Sequence, residues 1–296
     1  MKEPKSKFNK PTAFDFINII FLSVLAIIMI FPLYYTVIVS FATPHALLTS
    51  DLYILPTSFT LDTYRFIFEG GRQILNAFFV SVFITFVGVG ISMFLSTILA
   101  YAISKPKVPF TKAVNIFVII TLFFNAGLIP YYLTVMRVGL IDSIWVMIIP
   151  MAINAFFIVL LRNYFQSLPI SLEESARIDG ANDLQILFRI ILPLSKPILA
   201  TIALFYAVER WNEWWHAMLF VSNRDIMPLQ LVLRQMLINV VSTPGLGSAL
   251  RQAHAPIYTR SLQMAVVVVA MVPIMSLYPF AQKYFSKGIM LGAVKG

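Results

Sequence analysis

Residues 171–193 read SLEESARIDGANDLQILFRIILP and carry six charged side chains, Glu173, Glu174, Arg177, Asp179, Asp183 and Arg189. The apolar runs on either side hold almost none, so this is a water-phase segment on a greasy chain. Ser171 and Glu174 have the S-x-x-E spacing of a capping box, which predicts a helix over 172–179. Gly180 is a natural stop for it, because glycine tolerates the left-handed conformation. Two turns are too few to hold alone in water. A second helix is predicted from Asn182, with Gln185 at its third position and Leu184, Leu187, Phe188 and Ile191 at i, i+3, i+4 and i+7, one apolar stripe. Pro193 and Pro197 end it and restart the chain, since proline suits a first helical turn. The expected product is a short helix, a glycine corner and an amphipathic helix packed back on the rest. The small residues Ser175, Ala176 and Ala181 would let a partner surface approach closely; the plain alternative is a solvated loop.

Working outward, the 296 residues are 59% hydrophobic and only 12% charged, against roughly a quarter charged in soluble domains. Apolar stretches of the roughly 20 residues needed to cross a bilayer recur about six times. The class is therefore an all-α membrane protein with one helical bundle. The absence of cysteine excludes disulfides, thiolate catalysis and cysteine-based zinc sites. A net charge of +9 comes with no basic block or RNA-binding motif, so it points to lipid and not to nucleic acid.

Six transmembrane helices are expected, over 16–41, 76–103, 113–133, 143–161, 195–221 and 261–281. The first is too long and too aromatic at its end for a cleaved signal. Residues 42–74 and 222–258 read as folded outer loops rich in proline and glycine, with His45 and His254 as ordinary surface residues. On this layout fourteen Lys and Arg lie on one side and seven on the other, with Arg210 inside the fifth helix. The excess marks the cytoplasmic face, putting both termini and residues 171–193 in the cytoplasm.

The fifth helix is unusually polar for a span. Glu209, Asn212, Glu213 and His216 fall at i, i+3, i+4 and i+7 on one face, flanked by Trp211, Trp214 and Trp215, and Arg210 is placed to stack on Trp214. Ionisable groups inside a membrane line a cavity or a bundle interior, so this face is a candidate substrate path built from Glu209, Trp211, Asn212, Glu213, Trp215 and His216. An interfacial tryptophan belt or a structural contact with a second subunit would look the same. No phosphate-binding G-x-x-x-x-G-K-[ST] loop, G-x-S-x-G or H-E-x-x-H is present, so neither ATP hydrolysis nor intramembrane hydrolysis is expected here, and no metal site. A rival in another class is an ion-coupled transporter with Glu209, Glu213 and His216 as proton relay. A channel would leave residues 171–193 without a purpose.

Glu174-Ser-Ala176, three residues, Gly180, nine residues and Ile190-x-Leu192-Pro193 resemble the EAA signature of permease subunits of binding-protein-dependent ABC importers. Ser175 stands where that family usually has alanine. The ending YFSKGIMLGAVKG (284–296) resembles carbohydrate permeases related to the maltose system's second membrane subunit. RWNEWWHAMLF (210–220) and PLQLVLRQML (228–237) are similar to the branch for complex and acidic oligosaccharides. The resemblance implies a type I importer fold, with an N-terminal section 1–75, a permease core 76–285 and a tail 286–296. It implies a multi-pass subunit of a bacterial cytoplasmic (inner) membrane, coupling ATP hydrolysis to alternating access for a sugar. Its implied partners are a second permease, two cytoplasmic ATPases that bind ATP and Mg, and an extracytoplasmic binding protein. The short helix would be the coupling helix, with Glu174, Ala176, Asp179, Gly180 and Ala181 meeting the ATPase.

Overall fold

In the computed structural model, residues 13–49, 53–70, 72–105, 108–124, 126–242 and 259–288 are described. Among them all regular structure is helical. The chain forms two compact units, Met1–Phe66 with Val240–Val268, and Ile67–Asn239 with Val269–Gly296.

The first unit is dominated by α1 (Ala13–Ser40), whose most apolar window has a mean hydropathy of 2.7 and no buried residue. An apolar helix exposed on every side is suited to lipid. Beyond it, the expected first outer loop carries α2 (Pro44–Thr49) and α3 (Asp62–Arg65), with a small core of Val39, Ala42, Leu47 and Tyr53. The Tyr53 hydroxyl both donates to the Ser58 carbonyl and accepts from the Ser58 N–H, each at 2.9 Å. This loop is folded with short helical turns, as its composition suggests.

The second unit is organised by α4 (Arg72–Ser104). Gly88, Ser92, Ser96 and Ala100 recur every fourth residue and are all buried, so other backbones can approach closely. Against α4 pack α7 (Ala155–Ser167) and α11 (Lys196–Trp211). Their shared core contains Ile158, Leu161, Ile186, Ile202 and Tyr206. Between these come α5 (Thr111–Phe123), α6 (Leu128–Arg137) and a 3-10 turn at Ile144–Met147. After α7 follow α8 (Ile170–Ile178), α9 (Asp183–Ile186), a π turn (Leu187–Ile191) and α10 (Leu192–Leu194). After α11 come α12 (Trp215–Phe220), α13 (Leu229–Ser242) and α14 (Thr259–Gly288).

Three helices expected to be continuous are broken. The 113–133 helix splits where Phe124 is extended, and Pro130 then occupies the first turn of α6, where its missing N–H costs nothing. The 143–161 helix is a 3-10 turn, an irregular stretch and then α7, which begins where the Asn154 side chain accepts from the Phe156 N–H at 3.0 Å. The 195–221 helix stops at Trp211 and resumes at Trp215. The sixth helix is longer than expected, and the expected second outer loop holds a 3-10 turn at Arg224–Ile226 and α13, while its residues 243–258, with His254, lie outside the described residues.

Among the described residues two helices, α1 and α4, are long and apolar enough to cross a membrane. Counting each bent pair as one span raises the number to four. These pairs are α7 with α8, bent by 71°, and Asp183–Leu194 with Lys196–Phe220, bent by 84°.

Candidate functional site: an exposed glycine corner and a buried arginine

The corner at 170–194 forms, though one of its caps differs from expectation. Helix α8 starts at Ile170 after Pro169, with no side-chain cap. Ser171 is therefore already inside the first turn, and the capping box read from Ser171 and Glu174 is not made. The reciprocal box appears one corner later. The Gln185 N–H donates to Asn182 Oδ1 and the Asn182 N–H to Gln185 Oε1, both at 2.9 Å. Between them Gly180 has φ +82°. The Ala181 N–H reaches the Ala176 carbonyl at 2.9 Å and the Gly180 N–H that of Arg177 at 3.0 Å. This double closure satisfies the last carbonyls of α8 and needs a left-handed residue at 180.

The inner face of the corner is anchored. Ala176 is buried in the cluster that holds Tyr101, Phe165, Ile186 and Leu187. Lys105, which follows α4, forms an ion pair with Glu173 and lies 4.5 Å from the centre of the Tyr101 ring. Both charges of that pair are largely buried, so Glu173, which the signature does not single out, ties the corner to the bundle. Arg177 and Asp183 pair across the glycine at the surface.

The outer face is apolar to an extent the periodicity did not predict. Of the stripe Leu184, Leu187, Phe188 and Ile191, only Leu187 and Ile191 are buried, joined by Ile186. Leu184 and Phe188 face outward, 63% and 53% exposed, and the π turn at Leu187–Ile191 adds a residue to the helical circuit after α9. Ile178, at the tip of α8, is 86% exposed. Of the five expected coupling residues, Glu174, Asp179 and Gly180 are exposed, Ala181 is partly covered and Ala176 faces the core. An apolar patch of this kind, rimmed by charge, marks an interaction surface.

The second locus is Arg210, which is fully buried and does not stack on Trp214. Arg234 takes that place, 3.9 Å above the Trp214 ring. The Arg210 guanidinium instead donates to the Met147 carbonyl at 2.8 Å, to Ser92 Oγ at 3.0 Å and to the Met151 carbonyl. Those carbonyls lie at the end of the 3-10 turn and in the irregular stretch after it, which together interrupt the fourth expected helix. In lipid, each unmade backbone bond would cost several kcal/mol on the order-of-magnitude scale for hydrocarbon. One turn earlier, the Tyr206 hydroxyl bonds Ser96 Oγ at 2.7 Å and accepts from the Asn154 N–H at 3.2 Å. Helix α11 thus stitches the interrupted segment to α4. Gly88 makes room for it, since a Cβ there would stand 3.0 Å from Arg210 Nε. A lone arginine inside an apolar span, with small residues at 88, 92 and 96, was the available signal for this clasp.

The expected polar face of the fifth helix is divided by the break at 212–214. Glu213 and His216 are brought together: Glu213 accepts from the His216 N–H at 2.7 Å and meets Nδ1 at 3.1 Å. Glu213 therefore caps the start of α12. His216, Trp215 and Phe220 each lie within about 6 Å of the Tyr131 ring centre, at 5.9, 6.0 and 5.9 Å. Trp211 is buried, with its indole N–H donating to the Ala270 carbonyl at 3.0 Å. Glu209 and Asn212 remain on the exposed side of α11, apart from the Glu213–His216 pair.

Residues 84–291 match the family described as binding-protein-dependent transport system inner membrane component. The permease protein YtcP of the Bacillus subtilis polygalacturonan/rhamnogalacturonan transport system is 42% identical over 287 residues, covering 97% of this chain and all of that protein. Protein LplC of the same organism is 42% identical over 283 residues, covering 96% of this chain and 95% of LplC. Among solved structures, a chain of a bacterial ABC transporter involved in importing the acidic polysaccharide alginate superposes with a TM-score of 0.87 at 32% identity, covering 95% of this chain and 100% of the other. The chain belongs to the family of inner-membrane components of binding-protein-dependent transport systems: it is an ABC importer permease subunit, similar over nearly its whole length to permeases of carbohydrate importers.

Proposed function

We propose that this subunit forms half of the translocation path for an acidic oligosaccharide and that the corner at 170–194 is the lever through which a cytoplasmic ATPase drives it. The observation that carries this reading is the corner itself. Its inner face is fixed by Ala176 and the Lys105–Glu173 pair, while Ile178, Leu184, Phe188 and the charge of Glu174 face outward. A lever needs both, a rigid root and a free docking surface. Glu174, Asp179 and Gly180 meet the ATPase in this scheme, and Ala176 and Ala181 let α8 seat on the bundle.

The full unit is this chain, a second permease, two ATPases that bind ATP and Mg, and an extracytoplasmic binding protein, set in a bacterial cytoplasmic membrane. Both termini are cytoplasmic, on the strength of the Lys and Arg distribution. Six spans result when α5 with α6, α7, α11 with α12, and α14 are added to α1 and α4, with the corner at 170–194 joining α7 to α11 outside the membrane. ATP-driven closure of the ATPases rocks the helices rooted at the corner between inward-open and outward-open arrangements. The acidic character of the cargo is supported by the polysaccharides named for YtcP and the alginate transporter. Tyr131, Trp215 and His216 supply rings and polar edges of the kind that suit sugar faces.

In proteoliposomes holding the whole importer, acidic oligosaccharides presented by the binding protein are expected to stimulate ATP hydrolysis and uptake several-fold over neutral ones of equal length. Uptake is expected to persist when a protonophore is added. Uptake that collapses with the protonophore and continues without the ATPases would favour ion coupling through Glu209, Glu213 and His216 and would overturn the proposal.

A further inference from the structure

We propose that the cavity between the start of α5 and the end of α7 is a site for the headgroup of an anionic phospholipid, held by Lys112 and Arg162. The cavity measures about 380 Å³ and is lined by those two cations, Asn115, Gln166, Val108 and Phe110, among others, with no carboxylate in its wall. Among the described residues neither Lys112 nor Arg162 is in an ion pair. Arg162 Nε is buried with no hydrogen-bond acceptor, and its Nη1 makes only a 3.4 Å contact with the neighbouring Asn163 side chain. A buried guanidinium N–H left without a partner is a costly arrangement unless a ligand completes it. Asn115 and Gln166 donate to the Ile103 and Ser104 carbonyls at 3.4 and 3.2 Å, which fixes the wall to the end of α4.

The apolar surroundings identify the anion as one attached to acyl chains. Phe110 has φ +64°, a strained conformation for a bulky residue, and it is 82% exposed. Strain of this kind is kept where function over-determines it, and here it presents an aromatic ring outward beside two cations. From there the outer face of α5 continues with exposed Ile116, Phe117 and Ile120, a wall for hydrocarbon directly above a pocket for phosphate. The Lys105–Glu173 pair sets this end of the bundle beside the coupling corner. On the orientation proposed above it is the cytoplasmic leaflet, whose anionic lipids attract Lys and Arg clusters. A bound headgroup would brace the start of α5 next to the lever.

The test is lipid retention by the purified complete importer, measured by native mass spectrometry after exchange with phosphatidylglycerol or phosphatidylcholine of equal chain length. Wild type is expected to retain phosphatidylglycerol preferentially. In Lys112→Gln/Arg162→Gln retention falls roughly tenfold to thirtyfold, following the attraction of about 1 kcal/mol for each cation near a membrane surface. The charge-conserving Lys112→Arg/Arg162→Lys restores most of it, and Arg224→Gln, at the other end of α4, leaves it unchanged. Equal retention of the two lipids by wild type would overturn the proposal without touching the coupling role, as would displacement by inorganic phosphate or unaltered retention in the double glutamine variant.

Discussion

Arg210→Met is expected to lower the amount of folded permease in the membrane by more than tenfold. Three donations from one guanidinium end together, to the Met147 and Met151 carbonyls and to Ser92 Oγ. Hydrogen bonds to a charged group are worth about 1.5–3 kcal/mol each, and stripping one side from a buried polar cluster costs about 3–5 kcal/mol in all. That is a large part of the stability of an ordinary domain. Methionine fills much of the volume but offers no donor, so the carbonyls of the interrupted segment are left in a dry bundle. Gly88→Val acts on the same clasp from the opposite side. Its Cβ would crowd Arg210 Nε at 3.0 Å and Cδ at 3.1 Å, and the guanidinium cannot give way without breaking its bonds, which costs about 1–3 kcal/mol as overpacking. Because Arg210→Met already gives up the bonds that hold the crowded side chain in place, leaving it free to move aside, the two substitutions together should cost less than their sum. Thermal unfolding of the purified complex checks all three variants. Additive effects would mean that Gly88 and Arg210 are not one clasp.

Glu174→Arg is expected to leave folding intact while cutting binding-protein-stimulated uptake by more than tenfold. Glu174 is exposed and makes no ion pair among the described residues, so within the chain its replacement should shift stability by no more than about 0.5 kcal/mol. At a desolvated interface, a reversed charge costs about 2–5 kcal/mol. Glu173→Gln provides the contrast one residue away, because it leaves Lys105 largely buried without its partner. That variant should lose stability as well as uptake. Uptake and basal hydrolysis, measured beside the yield of assembled complex, separate the two cases, and full uptake in assembled Glu174→Arg would sink the lever.

The corner was legible because its punctuation is local. Gly180 as a stop, Asn182 with Gln185 as a start and Pro197 in the first turn of α11 depend on residues within a few positions of each other, and all three behave as read, whereas Pro193, expected to end the second helix, lies inside α10. Ser171 with Glu174 misled, because the helix starts after Pro169, two residues too early for that box to close. The breaks inside three apolar helices were not legible from hydropathy, which stays high through 113–133, 143–161 and 195–221 whether or not the backbone is helical. What sustains the break within 143–161 is tertiary: Arg210 and Tyr206 reach across to bond groups more than 50 residues away, and no window of one helix contains that. The split of the polar face at 212–214 follows the same rule. A helical wheel assumes the helix continues, and Glu213 spends its carboxylate on the His216 N–H instead.

The chain has no cysteine, which makes the most direct test of the lever clean. A single cysteine at Ile178, the most exposed apolar tip of the corner, is treated in the assembled importer with a short thiol-to-amine cross-linker. The expected product is a covalent adduct with the cytoplasmic ATPase subunit, formed in high yield and altered when ATP closes the ATPase dimer. A cysteine at 178 that never joins the ATPase, or that a membrane-impermeant reagent labels from outside intact cells, would contradict the coupling role.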